Sequence, residues 1–494
     1  MKKLFILSLL AGTLFLSVSI TTAIAQNINS FGTLNDSLIA RYNRGDFHGM
    51  YTLESKALQP TDPEKGFVDY FSGLAKETGK ITSSRFLMER QNHHYFEWFG
   101  QNKNERFDIV GKTPGVMDDY FVSGFVNQPN GRTSVKSDNP LKSKLDSAVQ
   151  KAAAIYMSDP MAVGVSIGIF QDGQVHYYNY GEIKKGTGIL PTADNVYNIG
   201  SIAKTFVSTL LAQAVIDGKI KLDDDIRKYL PGDYPNLEYN GQPVRVVNLA
   251  NHTSGLPGSA ITILPKLLDS LKQLPDSARL VYLSNRYRNF GTDSMLRSMH
   301  NFKLDTLPGT KYRYNGTAVS VIILLLEQIY HEPYEQLLQH FLTTHLDMHQ
   351  TSSLITSTNL PLFPQGYNIK GVPMPLAEMG NVSQYITSPS INSTVRDMMK
   401  YIKANLAETD PAIKLTHQLT FSDSKGNKIG LNWMLGKDDD GVPRIFHSGQ
   451  SGVGFTSLCT IYPQENTGYI ILENDMISQG RPFDLVQEIR RNLQ

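Results

Sequence analysis

A polar, turn-rich stretch at residues 127–140, NQPNGRTSVKSDNP, constrains the fold of this chain more than any other feature. It contains two Pro, one Gly and three Asn and has no apolar periodicity, which is typical of a linker. A chain of 494 residues is also long enough to form more than one hydrophobic core. We therefore expect a small unit at residues 26–126, a linker at 127–140 and a larger unit at 141–494.

The first 25 residues have the layout of a secretory signal peptide. The sequence MKK precedes a long apolar run, which ends in the small-residue pattern AIA before Gln26. We expect cleavage after residue 25 and an exported protein, either periplasmic or secreted. An uncleaved membrane anchor is the alternative, since the apolar run is long. No later segment is apolar enough to span a bilayer, so we expect no stable membrane span after cleavage.

Charge and cysteine content exclude several classes of partner and cofactor. The formal net charge is +1, which gives no electrostatic reason to expect nucleic acid as a partner. The single cysteine, Cys459, cannot form an intramolecular disulfide, and its setting in FTSLCTIYP predicts a buried strand residue. His93 and His94 are adjacent and would point to opposite faces of a strand, so they do not predict a shared metal site. We expect neither a metal ion nor a cofactor.

Residues 26–126 predict a small α+β module. DSLIARYNRGDFHGMYTL reads as a helix broken near Gly45, and EKGFVDYFSGLAKET reads as a second helix. The alternating segments HHYFEWFG, ERFDIVGK and DDYFVSGFV predict strands of a curled antiparallel sheet. In its predicted pattern of two helices followed by strands, this module resembles the cystatin-like modules that precede hydrolase domains in secreted bacterial proteins.

The larger unit begins with an amphipathic helix and a strand pair. The pair is joined at Asp172-Gly173, a strong hairpin signal. A long helix is predicted from near Ser201 to a C-terminal cap at Gly218. Helical segments fill the middle of the unit, and strands return before a final helix. We expect one sheet in which the last strands pair with the first.

A Ser-x-x-Lys pattern opens the long helix, within YNIGSIAKTF. Three residues apart on a helix, Ser201 and Lys204 project from one face, so the amine can reach the hydroxyl. The helix N-terminus also favours developing negative charge. A second copy, Ser422 and Lys425, lies among turn residues with no apolar helix behind it, and its setting predicts a surface turn.

A serine hydroxyl becomes a good nucleophile only when a neighbour removes its proton. Lys204 can do so if burial or a nearby cation keeps part of it neutral near pH 7. The segment PGTKYRYNG supplies Tyr312 and Tyr314 just before another apolar helix. A tyrosine held beside Lys204 could pass the proton to a leaving group, although the segment taken alone favours a structural role for both tyrosines, as alternating residues of a strand or loop.

Five ordered blocks together resemble a known group of enzymes. YNIGSIAKTF, HTSGLP, PGTKYRYNG, STVRDMMKYI and HSGQSGVGF occur in the order and at the intervals seen in serine hydrolases related to class C β-lactamases, low-molecular-weight penicillin-binding proteins and esterases. The resemblance covers about residues 141–490. It implies an α+β fold, with an α/β sandwich and an all-helical subdomain, and a Ser-Lys-Tyr site for acyl transfer between them.

The resemblance also implies roles for individual residues. It makes Ser201 the nucleophile, Lys204 its base, Tyr314 the proton shuttle, His447-Ser448-Gly449 a pocket-lining strand, and the amides of Ser201 and Gln450 the oxyanion hole. HTSGLP is read as a structural turn, with His252 not expected to touch substrate.

Two positions depart from the family pattern. The family has Tyr-x-Asn, whereas this chain has Gly316 at the third position and Asn315 in the middle. Either Asn315 takes over through a backbone shift, or the side-chain amide is absent, which is the simpler reading. At position 447 many members have lysine, and histidine is mostly neutral at pH 7. Both departures favour esters over carboxylate-bearing β-lactams.

These observations predict an exported serine hydrolase that forms an acyl-enzyme at Ser201 on small-molecule or short-peptide esters or amides. One alternative is a D-stereospecific peptidase or carboxypeptidase that acts on cell-wall peptides. Another is a catalytically weak protein that binds peptidoglycan fragments or another ligand, for which the absence of an amide side chain at Gly316 is the main argument.

Overall fold

The computed structural model describes residues 31–493 except 61, 91, 103, 114, 126–134, 158, 160, 262–264, 380, 382, 384, 386–388, 425, 478 and 479. The predicted signal peptide, residues 1–25, lies outside the described residues. The chain divides into two compact units, Met1–Pro129 and Asn130–Gln494. None of the helices in the described part is long and apolar enough to cross a membrane.

The first unit contains helices followed by a four-stranded sheet. Its helices are α1 at 31–44, α2 (Phe47–Tyr51) and α3 (Glu64–Thr78), and its strands are β1 (Ile81–Arg90), β2 (His93–Gly100), β3 (Asn104–Val110) and β4 (Asp119–Phe125). The strands pair antiparallel in sequence order. Gly45, at φ 72°, separates α1 from α2, so the predicted break is confirmed. Trp98 and Phe107 stack at a ring-centroid distance of 4.2 Å in the core.

The second unit is built on an eight-stranded antiparallel sheet with the order β11-β12-β13-β14-β15-β16-β5-β6. These strands are β5 (Gly164–Gln171), β6 (Gln174–Gly181), β11 (Phe421–Ser422), β12 (Lys428–Ile429), β13 (Met434–Lys437), β14 (Pro443–Ser451), β15 (Phe455–Tyr462) and β16 (Thr467–Glu473). Strand β16 pairs with β5, which confirms that the last strands close the sheet with the first. Cys459 is buried in β15, also as predicted.

Two smaller strand pairs lie outside this sheet. Strand β7 (Val196–Asn198) pairs with β10 (Asn392–Thr394), and β8 (Glu238–Tyr239) pairs with β9 (Gln242–Pro243). The β7–β10 pair directly precedes the turn that carries Ser201, and it places Asn198 opposite Asn392. Two strands distant in sequence therefore fix the start of the long helix.

The helices of the second unit flank the sheet or fill the middle of the sequence. They are α4 (Lys144–Met157), α5 (Ala203–Ile216), α6 (Val246–Ala250), α7 (Pro265–Lys272), α8 (Asp276–Tyr287), α9 (Thr292–Met299), α10 (Gly316–Tyr330), α11 (Tyr334–Thr344), α12 (Leu376–Met379), α13 (Val395–Ala407), α14 (Pro411–Thr416) and α15 (Arg481–Leu493). Short 3₁₀ turns occur at Gly200–Ile202, Ile226–Tyr229, Leu360–Leu362 and Pro463–Glu465.

Helix α5 is the centre of this unit. Its residues from Ala203 to Ala212 are all buried, as expected for a helix that is apolar on nearly every side. Phe206 stacks on Tyr401 of α13 at a ring-centroid distance of 4.0 Å. The helix ends at Ile216, and Gly218 follows at φ 69°, which agrees with the predicted cap. The nucleophile candidate therefore sits at the end of a rigid, buried element.

The described part of the predicted linker, residues 135–140, runs beside β6. The Gly181 amide donates to the Lys136 carbonyl at 3.0 Å, and the Asn179 amide donates to the Asp138 carboxylate at 2.7 Å. These bonds pair part of the polar backbone edge of β6, which a sheet otherwise leaves open.

Candidate active site

Ser201 lies on the 3₁₀ turn Gly200–Ile202, immediately before α5. Its neighbour Gly200 has φ 53°, a left-handed conformation that glycine adopts at little cost. One turn along the chain, the Lys204 amine lies 2.9 Å from the Ser201 hydroxyl. The local helical spacing therefore brings the two predicted side chains into hydrogen-bonding contact.

The turn carrying Ser201 packs directly on strand β14. A Cβ atom added to Gly449 would lie 2.3 Å from the Ile199 carbonyl oxygen and 2.8 Å from the Ser201 amide nitrogen. One added to Gly200 would lie 2.8 Å from the amide nitrogen of Gln450. Both positions therefore require glycine, because the two backbones approach more closely than a side chain allows. This approach brings the Ser201 and Gln450 backbones together, where the sequence predicts an oxyanion hole.

Lys204 is a buried amine of the site. Its side chain is 3% exposed, and Ser201 is the hydrogen-bond partner found for its amine. Burial lowers the pKa of Lys204 from 10.5 to about 7, because the charged form loses its hydration. A large fraction of the amine is thus neutral near pH 7, which a general base requires.

Tyr314 lies on the open side of the same pair. Its side chain is 41% exposed, and its ring centroid is 5.1 Å from the Lys204 amine. Partial burial raises the pKa of Tyr314, while a hydrogen bond with Ser201 works in the opposite direction. The phenol therefore stays protonated near neutral pH. Lys204 can therefore be neutral near pH 7, and Tyr314 can donate a proton.

His447, on β14, is buried at 2% exposure beside Tyr314, with ring centroids 6.1 Å apart. Its Nδ1 lies 2.6 Å from the Ser448 carbonyl oxygen. Because a carbonyl only accepts, Nδ1 carries the proton. Burial and the Lys204 charge lower the pKa of His447 to about 3. Position 447 therefore presents a neutral group where a lysine would present a cation.

His252 is a site residue that sequence reasoning missed. The sequence predicts only a structural turn at this residue, yet its ring centroid lies 4.6 Å from that of Tyr314. The side chain is 2% exposed, and burial, followed by the charges of Lys204 and His447, lowers the pKa of His252 to about 3. The block HTSGLP carried the signal, but the sequence does not reveal that this loop packs against the segment carrying Tyr314.

Asn315 has a different role from the predicted one. Its side-chain nitrogen donates to the carbonyls of Leu256, at 2.7 Å, and Pro257, at 3.3 Å. Its side-chain oxygen caps α10 by accepting from the Ala318 amide at 3.2 Å. The side chain thus anchors the HTSGLP loop, so the geometry does not support the alternative in which Asn315 takes over the missing pocket amide.

The reason lies in the start of α10. The helix begins at Gly316, which makes Asn315 its N-cap and turns the side chain back onto the helix. Of the two readings of the Tyr-x-Asn departure, the geometry supports the simpler one: the amide of Asn315 is fully used elsewhere, and Gly316 provides none.

The second Ser-x-x-Lys copy has no comparable setting. Ser422 ends the two-residue strand β11 and is exposed, while Lys425 lies outside the described residues. Across the described ranges, no group of three or more His, Cys, Asp or Glu side chains is arranged to hold a metal ion.

Comparison with known proteins decides the family. The family model for Beta-lactamase matches residues 149–490, which include all the residues of the candidate site. The chain belongs to the Beta-lactamase family. It is therefore a hydrolytic enzyme, a serine hydrolase related to the β-lactamases.

Individual relatives of this Beta-lactamase family member are distant in sequence. The D-alanyl-D-alanine-carboxypeptidase/endopeptidase AmpH of Escherichia coli K12 is 25% identical over 359 residues, covering 67% of this chain and 86% of the relative. A β-lactamase of Lysobacter lactamgenus is 26% identical over 278 residues, covering 56% of this chain and 64% of the relative. The chain thus spans most of AmpH but slightly less than two thirds of the Lysobacter protein.

A solved structure shares the fold of this family member. The β-lactamase/D-alanine carboxypeptidase of Yersinia pestis, determined with citrate, aligns with a TM-score of 0.58 and 23% identity, covering 71% of this chain and 98% of that one. The α+β β-lactamase/transpeptidase-like fold predicted from the sequence is confirmed.

Proposed function

We propose that this protein is an exported serine hydrolase that forms an acyl-enzyme at Ser201 and prefers uncharged esters of small molecules or short peptides. The observation that carries the assignment is the 2.9 Å contact between the Ser201 hydroxyl and the Lys204 amine. The lowered pKa of Lys204, about 7, supports its role as base.

The reaction proceeds in two half-reactions. Neutral Lys204 accepts the Ser201 proton as Oγ attacks the carbonyl carbon, and the backbone amides of Ser201 and Gln450 stabilise the oxyanion. Tyr314, protonated at neutral pH, gives its proton to the leaving group and recovers one from Lys204. Water then attacks the acyl-enzyme by the reverse proton path and releases Ser201.

The preference for uncharged substrates rests on positions 447 and 316. His447 is neutral and buried, so it offers no cation to a substrate carboxylate, and Gly316 offers no side-chain amide. Both losses weaken binding of carboxylate-bearing β-lactams more than binding of simple esters.

A peptidase acting on cell-wall peptides is the second candidate. It is favoured by the similarity to AmpH, whose name describes a D-alanyl-D-alanine carboxypeptidase and endopeptidase. On this reading peptidoglycan fragments are the partners. The export pattern of residues 1–25 suits either reading, and N-terminal sequencing of the mature protein should then begin at Gln26.

The test compares wild type, Ser201→Ala and Ser422→Ala with a short-chain p-nitrophenyl ester, a fluorescent penicillin and a D-Ala-D-Ala peptide. Ser422→Ala is the matched control, since Ser422 belongs to the other Ser-x-x-Lys copy. We expect ester turnover in wild type and the control and none in Ser201→Ala. Release of D-alanine at a rate comparable with ester turnover would favour the peptidase. Turnover that survives in Ser201→Ala, or neither turnover nor a protein mass increase in wild type, would refute the assignment.

A further inference from the structure

The two backbone neighbours of Tyr314 are both held by one residue, His252. The Arg313 amide donates to the His252 backbone carbonyl at 2.8 Å. The Asn315 amide donates to the His252 side-chain Nδ1 at 3.2 Å. The hydrogen bonds on either side of Tyr314 therefore end on the same histidine, one on its main chain and one on its ring.

The ring of His252 also limits where the Tyr314 side chain can lie. The two ring centroids are 4.6 Å apart with the planes inclined at 48°. His252 is 2% exposed, whereas Tyr314 is 41% exposed. An exposed tyrosine keeps considerable rotamer freedom unless a fixed neighbour restricts it. The buried imidazole is such a neighbour.

The hydrogen bonds define the chemical state of His252. Because the Asn315 amide is a donor, Nδ1 must be an unprotonated acceptor, and the ring proton of the neutral imidazole lies on Nε2. A protonated ring would lose this bond. The lowered pKa of His252, about 3, keeps the ring neutral at neutral pH. The backbone of His252 has φ 61°, a conformation that Asn tolerates better than most side chains.

We propose that His252 is a positioning residue that holds the Tyr314 hydroxyl where it protonates the leaving group. This inference rests on the proposed function. When the tetrahedral intermediate collapses, the bond from carbon to the leaving-group oxygen breaks and that oxygen takes the Tyr314 proton. The phenolate recovers a proton from the Lys204 ammonium, which had gained it from Ser201. His252 gains and loses no proton in this sequence.

The test uses two esters with one acyl group and different leaving groups, p-nitrophenyl butyrate and ethyl butyrate. Nitrophenolate leaves at neutral pH without a proton, whereas an alkoxide needs one. Loss of Tyr314 positioning should therefore slow the ethyl ester selectively. Tyr314→Phe sets the reference for complete loss of proton donation, which is worth on the order of 10²-fold or more.

The variants separate the two ring nitrogens. Asn places its amide oxygen near the position of Nδ1, and Gln reaches the position of Nε2. We expect H252N, which keeps the acceptor for Asn315 but loses the ring contact with Tyr314, to lose less ethyl ester kcat/KM than H252Q. H252Q should lose at least about tenfold more on the ethyl than on the p-nitrophenyl ester.

Two further variants separate positioning from folding. H252G removes the ring and suits the positive φ, so it provides the same test if H252Q does not fold. H331Q is the matched control, because His331 is an exposed histidine at φ 56° elsewhere in the unit. We expect H331Q to leave kcat/KM for both esters unchanged. We expect the folded variants at position 252 to show thermal unfolding as cooperative as that of wild type.

Three results would overturn the inference. Equal losses on both esters in H252Q and H252G would indicate a purely structural role. Rescue by Gln and not by Asn would assign the effect to Nε2. If Tyr314→Phe showed no selective loss on the ethyl ester, the proton-donor role of Tyr314 in the proposed function would fail, and the inference would fail with it; selective loss in Tyr314→Phe alone would refute only the role of His252.

Discussion

Replacing Lys204 by Met should make the protein more stable while it abolishes turnover. Methionine has nearly the length of lysine and no charge, so it can fill the same buried space beside Ser201. Lys204 is 3% exposed, and a charge at such a position is stabilised much less than in water. The lysine is therefore expected to be retained for chemistry, at a cost in stability.

The size of the effect follows from the pKa. Burial lowers the pKa of Lys204 from 10.5 to about 7, and each unit corresponds to about 1.4 kcal/mol. The difference of about 3.5 means that folding with this lysine costs about 5 kcal/mol below pH 7. Loss of the hydrogen bond to Ser201 offsets about 1 kcal/mol. The expected net gain of Lys204→Met at pH 6 is about 3–4 kcal/mol.

The gain should depend on pH in a defined direction. Between pH 7 and 10.5 the unfolded chain holds the Lys204 proton and the folded chain does not, so the wild-type free energy of unfolding rises with pH. The advantage of Lys204→Met should therefore shrink above pH 7 and vanish near about pH 10, where the lost hydrogen bond cancels what remains. Wild-type kcat/KM should rise with pH and level off above about pH 7, as the amine becomes neutral.

Denaturant unfolding followed by tryptophan fluorescence measures this effect. The chain has two tryptophans. Trp433 reports on unfolding of the unit Asn130–Gln494, which contains Lys204. Trp98 reports on unfolding of the other unit, which the substitution leaves unchanged and which serves as an internal reference. Lys403→Met, at an exposed position of α13, is the control for loss of a lysine. A Lys204→Met protein less stable than wild type at pH 6, or a gain equal at pH 6 and pH 10, would refute the reasoning.

Three further predictions concern the close backbone contact, the pocket wall and the buried charges. Gly449→Ala should reduce kcat at least about 10²-fold through displacement of the oxyanion donors. Gly258→Ala should leave kcat unchanged, because a Cβ at Gly258 meets no atom within 4 Å. Equal activity of the two variants would contradict the packing argument. His447→Lys should raise the ratio of kcat/KM for a carboxylate-bearing ester to that for its methyl-capped counterpart by about tenfold, and an unchanged ratio would show that charge at this position does not select substrates. Arg481→Met should lower the free energy of unfolding by about 3–5 kcal/mol at pH 7, because Arg481 lies among buried carboxyls that include Asp475. Calorimetry should find a smaller loss at pH 5, where the carboxyls left without Arg481 are more readily protonated. An equal loss at both pH values would show that buried carboxylate charge does not cause the effect.

Several local features could be predicted from the sequence. The Asp172-Gly173 turn, the helix break at Gly45 and the extent of α5 each depend on a few neighbouring residues whose conformational preferences are strong. The contact between Ser201 and Lys204 also belongs to this class, since helical geometry alone brings residues three apart onto one face.

Other features depended on segments far apart in the chain. The capping role of Asn315 follows from where α10 begins, and the contact between His252 and Tyr314 forms only when the HTSGLP loop folds against the segment that carries Tyr314. No local preference specifies such a contact across more than sixty residues. The sequence pattern likewise did not predict that residues 135–140 run beside β6.

The sequence by itself determined the neighbourhood of Ser201 and Lys204, the helix that carries Lys204 and the pairing of the last strand of the second unit with its first. Only the tertiary structure decided their chemical state. The pKa of Lys204 is near 7 because surrounding segments exclude water from it, and Tyr314 is placed because His252 binds both of its neighbours. Spacing along a helix follows from covalent geometry, whereas desolvation and orientation follow from packing, which the whole chain determines together.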